Sequence, residues 1–266
     1  MQSSSEDLLG EYRALADLCE TLTPAQWQMR TDFYDWTPWD EIAHLAYFDE
    51  TALQAVTDPG QFAKDMPKLV RLMLRGDPIS GVAREHFGHL SGPALLALWR
   101  QRHEALVAAL APLDPKARLP WYGPDMSARS FATARLMETW AHGQDIWDAL
   151  GRTRGTSPGL RHILHLGVGT YGWTFVNRGL PVPQPAPHVD VVAPDGSHWT
   201  WGDPSATDWV TGPAMDLALL VTQRRHRDDT ALRWAGEGAE QWTLIAQCFA
   251  GPPADGPARG VRGQSR

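Results

Sequence analysis

The chain of 266 residues is long enough for one large domain or two smaller ones, and its 43% apolar and 21% charged residues are those of an ordinary soluble globular protein. A formal net charge of −7 opposes a sequence-independent grip on nucleic acid, and no apolar run reaches the ~18 residues of a membrane span. Cys19 and Cys248 lie far apart without CxxC spacing, which excludes a disulfide framework and predicts buried, reduced thiols.

The amino end, MQSSSEDLLGEYR, is polar and acidic where a signal peptide would be basic and then apolar, so a cytoplasmic protein is expected. Ser3 and Glu6 form an S-x-x-E box ahead of Leu8, Leu9, Tyr12, Leu15, Cys19 and Leu22, which follow helical spacing. Thr23-Pro24 and Thr37-Pro38 each put a cap residue before a proline at the first helical position. Ser91, Ser130 and Ser157-Pro158 repeat the device, and Gly151 and Gly179 close the last two long helices. The spacing predicts major helices near 4–21, 38–56, 92–111, 131–150 and 158–178, with shorter ones near 61–75 and 80–88. Such a set reads as an antiparallel bundle with insertions. The long irregular stretch 114–130 is either a cleft wall or a surface loop.

PVPQPAPH, 181–188, is a stiff connector, and beyond it the pattern changes. VDVVAPDGSHWTW alternates around Asp195-Gly196, a hairpin signal; GPAMDLALLVTQRR reads as a helix, ALRWAG as a strand and AEQWTLIAQCF as a helix. The expected organisation is a helical bundle over 1–182, a small α+β module over 188–252 and a disordered Gly/Pro/Arg-rich tail over 253–266. The basic run RRHR, 224–227, followed by Asp228 and Asp229, reads as a solvated helix end.

The helix LMETWAHGQDIWDALG poses the chemical question. At ~100° per residue Glu138 and His142 fall about 40° apart, with Asp145 beside them. Apolar residues occupy the same sector and the opposite one, so an unpaired carboxylate there would be costly. A divalent cation removes the difficulty, since carboxylate and neutral imidazole are both good ligands. The spacing alone equally allows a solvated pair or a structural hydrogen bond. Of the remaining histidines, His44 stands out in DWTPWDEIAHLAYFDETALQAV, at the margin of the arc Ile42, Leu45, Ala52, Leu53, Val56. Alone it reads as a core histidine or as a third ligand.

W-T-P-W-D-E-I-A-H-L-A followed by E-x-x-x-H-x-x-D resembles the metal-binding domain of the mycothiol-dependent maleylpyruvate isomerase-like family, in the DinB-like four-helix-bundle superfamily. GPAMDLALLVTQRR is similar to a helix of that family's small C-terminal domain, and the likeness spans most of residues 1–250. The resemblance implies a mainly α fold with a small α+β C-terminal domain, and a metal held by His44, Glu138 and His142. It also implies mycothiol as the thiol cosubstrate, and an arginine of the C-terminal domain for a carboxylate. Arg224 is the nearest match and Arg225 the alternative, against the solvated helix end above. Asp145 either orients His142 or bonds a neighbouring helix, and Tyr47, Phe48 and Trp121 either line a pocket or belong to the core.

Two histidines and one glutamate leave coordination positions open, as catalytic rather than structural zinc sites do; zinc is expected, with other first-row divalent ions able to fill the same set. An open site supports hydrolysis through a bound water, or activation of a small thiol as a nucleophile toward an electrophilic carbon. The family resemblance implies the second. The expected partners are a small-molecule thiol and an electrophilic substrate, with a non-catalytic metal-binding module and a metal hydrolase as the other readings. Nothing in the sequence fixes an oligomeric state.

Overall fold

A computed structural model describes residues 2–74, 79–157 and 159–263, with side chains outside 2, 3, 72–74 and 79. The Ser3 side chain of the N-terminal box, and Pro158, fall outside what is described. The chain divides into two compact units, Met1–Leu150 and Gly151–Arg266.

The first unit contains α1 (Gln2–Glu20), α2 (Pro38–Thr57), α3 (Pro59–Leu74), α4 (Ile79–Phe87), α5 (Gly92–Leu110) and α6 (Ala128–Ala149). Between α5 and α6 runs a short antiparallel ribbon, β1 (Arg118–Leu119) with β2 (Met126–Ser127). α1 and α2 each pack on both α5 and α6, which makes the four-helix bundle, and α3 and α4 lean on α2. The core is filled by Leu8, Tyr12, Leu15, Ile42, Leu45, Leu95, Trp99, Phe131 and Trp140, all under 2% exposed. At ~1.5–3 kcal/mol for each large apolar side chain removed from water, this burial is what holds the bundle.

Helix starts are fixed by local chemistry. Thr37 and Asp40 form a reciprocal capping box: the Asp40 amide donates to Thr37 Oγ1 and the Thr37 amide to Asp40 Oδ2, with Pro38 in the first turn. Ser91 caps α5. α6 starts three residues before the expected 131, capped by Ser127 rather than Ser130. The ribbon delivers the chain early, and the Ser130 amide donates to Ser127 Oγ.

The second unit contains α7 (Leu160–Gly169), α8 (Tyr171–Val176), β3 (His188–Val192), β4 (His198–Trp201), β5 (Trp209–Pro213), α9 (Ala214–Val221), β6 (Arg233–Ala235) and α10 (Glu237–Ile245). The sheet order is β4-β3-β5-β6, with β3 and β5 parallel and the other pairs antiparallel. The Asp195-Gly196 turn joins β3 to β4, with Gly196 at φ 83. The helix expected over 158–178 is two. Thr170 Oγ1 bonds the carbonyls of Leu166 and Gly167, drawing the chain out of α7 before α8 begins. α7 lies with this unit, not with a bundle running to 182, because it packs on α9; a Cβ on Gly167 would meet Val221 at 2.7 Å.

α9 ends at Val221, short of the arginine doublet. Gln223 takes a left-handed φ of 59, its amide bonds the Leu220 carbonyl, and the Arg224 amide bonds the Leu219 carbonyl. This is a Schellman stop without glycine. Arg224 is 4% exposed and donates from Nη1 to the Thr222 carbonyl, so it is not the solvated helix end expected from RRHR. Arg225 is half-buried, with Nη1 on the Arg224 carbonyl. Residues 253–263, expected to be disordered, carry specific bonds: Gln223 Nε2 donates to the Ala254 carbonyl at 2.7 Å and Arg178 pairs with Asp255 at 2.9 Å. Both cysteines are free and buried, as expected, and burial pushes the Cys19 thiol far up. Among the described residues no helix is long and apolar enough to cross a membrane.

Candidate metal centre

Helices on four sides leave α2 with little solvent, yet it buries Asp40, Glu41, His44 and Asp49. Each must find partners inside the protein or lose free energy. Asp40 serves the cap and receives Arg84 at 2.6 Å. Asp49, fully buried, accepts Tyr12 Oη at 2.6 Å, Trp99 Nε1 at 2.8 Å and Arg135 Nε at 2.9 Å. Glu41 and His44, one turn apart, meet α6.

There Glu138 and His142 stand one turn apart, and the three residues meet at one oxygen. His44 Nε2 lies 3.5 Å and His142 Nε2 3.3 Å from Glu138 Oε2. The imidazole rings are 4.4 Å apart between centroids, and one ligand atom from each residue lies within 4.8 Å of the others. Burial alone would raise the Glu138 carboxyl, but hydrogen bonds from His142 and His44 hold it well below the ordinary carboxylate range. Its side chain is 26% exposed, against 10% for His44 and 6% for His142, so access is from the glutamate side.

The set suits a divalent ion. Ligands bonded at ~2.0–2.2 Å in a tetrahedron stand about 3.4 Å from one another. The two imidazole–carboxylate separations match that edge. Two neutral imidazoles and one carboxylate are also the ligand chemistry of zinc and its first-row neighbours.

The carboxylate against His142 comes from α2. His142 Nδ1 meets Glu41 Oε2 at 2.7 Å, and Glu41 is fully buried. Thr31 Oγ1 donates to the other oxygen, Glu41 Oε1, at 3.2 Å. Asp145, expected either to orient His142 or to bond a neighbouring helix, has a carboxylate oxygen within 4.8 Å of ligand atoms of these two, and Glu41 meets Nδ1 at 2.7 Å. Glu41 was missed because a single helical wheel cannot show a pairing between helices; the one local signal is its place a turn before His44.

Aromatic rings frame the centre. Trp36 stacks near-parallel on His142 at 5.8 Å and lies 5.4 Å from His44, while Phe33 meets His142 edge-on at 5.3 Å. They come from a tight loop in which Tyr34 and Asp35 both take left-handed φ, of 49 and 57. The Thr31 amide closes this loop on the Trp36 carbonyl at 2.7 Å. Phe48 packs on His44 at 4.8 Å. Trp121 lies one ring further out, 6.3 Å from Phe48 and stacked on Phe62. Tyr47 faces Phe48 and His86 and touches neither ligand histidine among the described ring contacts. Arg224 and Arg225 belong to the second unit.

The sequence model of the mycothiol maleylpyruvate isomerase N-terminal domain matches residues 8–147. Two uncharacterized proteins of Mycobacterium tuberculosis, from strains CDC 1551 / Oshkosh and ATCC 25618 / H37Rv, are each 40% identical over 252 residues, 94% of this chain and 96% of theirs. The crystal structure of a mycothiol-dependent maleylpyruvate isomerase superposes with a TM-score of 0.55 at 15% identity, covering 88% of this chain and 92% of that one. A histidine-to-alanine mutant of the same isomerase gives 0.55 at 13% identity, over 86% and 91%. At such identities the likeness concerns the fold alone.

Proposed function

The chain belongs to the mycothiol maleylpyruvate isomerase family, and on that premise we propose that it is a divalent-metal enzyme, with zinc the first choice, that uses a low-molecular-weight thiol such as mycothiol against a small electrophile. The observation that carries this reading is the convergence of His44 and His142 on one Glu138 oxygen at 3.5 and 3.3 Å. An ion bound by this triad would keep open positions at which a thiol sulfur is held deprotonated at neutral pH.

The chain's own residues supply the rest. Glu138 and the two histidines would hold the ion. Trp36, Phe33 and Phe48 pack against the two imidazoles, while the partly exposed Glu138 edge admits the reactants. A thiolate that adds to a conjugated double bond leaves a single bond free to rotate, and its expulsion restores the double bond in the other geometry. Retention of the adduct gives thiol transfer instead. We assign a substrate or thiol carboxylate to Arg224, with Arg225 as the alternative, and a lining role to Tyr47.

Metal analysis of purified protein should give about one divalent ion per chain, and His44→Ala or Glu138→Ala should lose it. In a cobalt-substituted form, a sugar thiol should produce a sulfur-to-metal absorption band. Full metal occupancy in both variants removes the ligand assignment. A cobalt form whose spectrum ignores saturating thiol removes the thiol chemistry and leaves a hydrolase or a non-catalytic metal module.

A further inference from the structure

The two histidines are supported unequally. His44 Nδ1 is buried with no hydrogen-bond partner, whereas His142 Nδ1 is held at 2.7 Å by a carboxylate with no solvent exposure. We propose that Glu41 is a positioning residue that sets the His142 tautomer and ring orientation for metal binding, and that Thr31 holds Glu41 in place. The inference rests on the metal reading above.

The physical case has three parts. Glu41 Oε2 occupies His142 Nδ1 at 2.7 Å, so Nε2, which faces Glu138 at 3.3 Å, is the nitrogen left for an ion. Negative charge on Glu41 is favoured by its place in the first turn of α2, at the positive end of the helix macrodipole. Both Glu41 oxygens are engaged, Oε2 by His142 and Oε1 by Thr31, which removes the rotation that would let the imidazole drift. Thr31 is also the residue whose amide closes the loop carrying Phe33 and Trp36, and its Oγ1 accepts from the Phe33 amide at 3.2 Å. The aromatic wall and the bracing of the histidine thus share one anchor. Partners of this kind typically contribute 10–100-fold to metal affinity.

The test is zinc affinity by competition with a chromophoric chelator, for wild type, Glu41→Ala, Glu41→Gln and Thr31→Val, with the His142 tautomer read by nitrogen NMR on metal-free protein. Glu41→Ala should weaken zinc about 10–100-fold and release the Nδ1–H tautomer. Glu41→Gln, which keeps an acceptor without the charge, should recover part of the affinity, and Thr31→Val should lose several-fold. If Glu41→Ala does not fold, Glu41→Gln carries the comparison, with its melting temperature as the control for a merely structural role. Wild-type zinc binding with unchanged affinity and tautomer in the Glu41 variants overturns this inference and leaves the metal reading standing. Wild-type protein that binds no zinc or other divalent ion overturns both.

Discussion

Two polar clusters lie buried between α2 and α6, and they are built in opposite ways. Around Asp49 three donors from α1, α5 and α6 close on one carboxylate at 2.6–2.9 Å. Asp49 raises the Arg135 pKa although burial alone would lower it, and burial with the Asp49 charge raises the Tyr12 hydroxyl well above its usual range. Around Glu138 two imidazoles stand at 3.3–3.5 Å, in contact with each other and with an oxygen open to one side. Donors matched to an acceptor at short range tie helices together; ligand atoms that crowd one another with access to solvent are arranged for something brought from outside. The same pair of helices carries a clasp and a socket.

The clasp should be the more costly to break. Asp49→Ala leaves Arg135 buried without its counter-charge, and is expected to cost about 3–5 kcal/mol in denaturant unfolding. Survival of this variant at near wild-type stability would show that the cluster is ornamental. In the socket the balance reverses. Glu138→Gln should lose zinc by more than the ~10–100-fold attached to an orienting partner, while unfolding of the metal-free protein shifts by under about 1 kcal/mol. A metal-free Glu138→Gln protein destabilised as much as Asp49→Ala would erase the distinction.

The clasp also has a pH dependence. His103 stacks on Trp99 and meets Tyr12 edge-on, and burial lowers its pKa from 6.5 to about 4. The folded protein therefore binds that proton later than the unfolded chain does. Its contribution is fully present above pH 6.5 and is lost as pH falls toward 4, by on the order of 3 kcal/mol. Stability measured across that window should fall less steeply in His103→Phe than in wild type. The smallest effect is expected at the start of the helix both clusters share: Thr37→Ala removes half of the capping box and should cost ~1 kcal/mol, read as a lower melting temperature.

The parts of the molecule written in neighbouring residues were legible. The Thr37-Pro38 start of α2, the hairpin at Asp195-Gly196 and the helical pattern of the bundle all follow from caps, turns and spacing within one segment. The residues missed depend on segments meeting. Glu41 and His142 are 101 positions apart and Asp49 and Arg135 86 apart, so neither pairing can be read from one helix. Ser127 displaced Ser130 as the cap of α6 because a two-residue ribbon, invisible to periodicity, delivered the chain early. Thr170 ended α7 by bonding backwards, something a threonine in a sequence does not announce.

Gln223 has a practical corollary. Its left-handed backbone turns the chain out of α9 while its side-chain amide grips the carbonyls of Ala246 and Ala254, and Arg262 Nη1 donates to the Gln223 backbone carbonyl at 2.8 Å. Anyone trimming the protein where composition turns to glycine and proline, at 252, would remove a strap from beneath the arginine pair. A cut made after 262 spares those bonds, so the shortest workable version of this chain is longer than its tail makes it look.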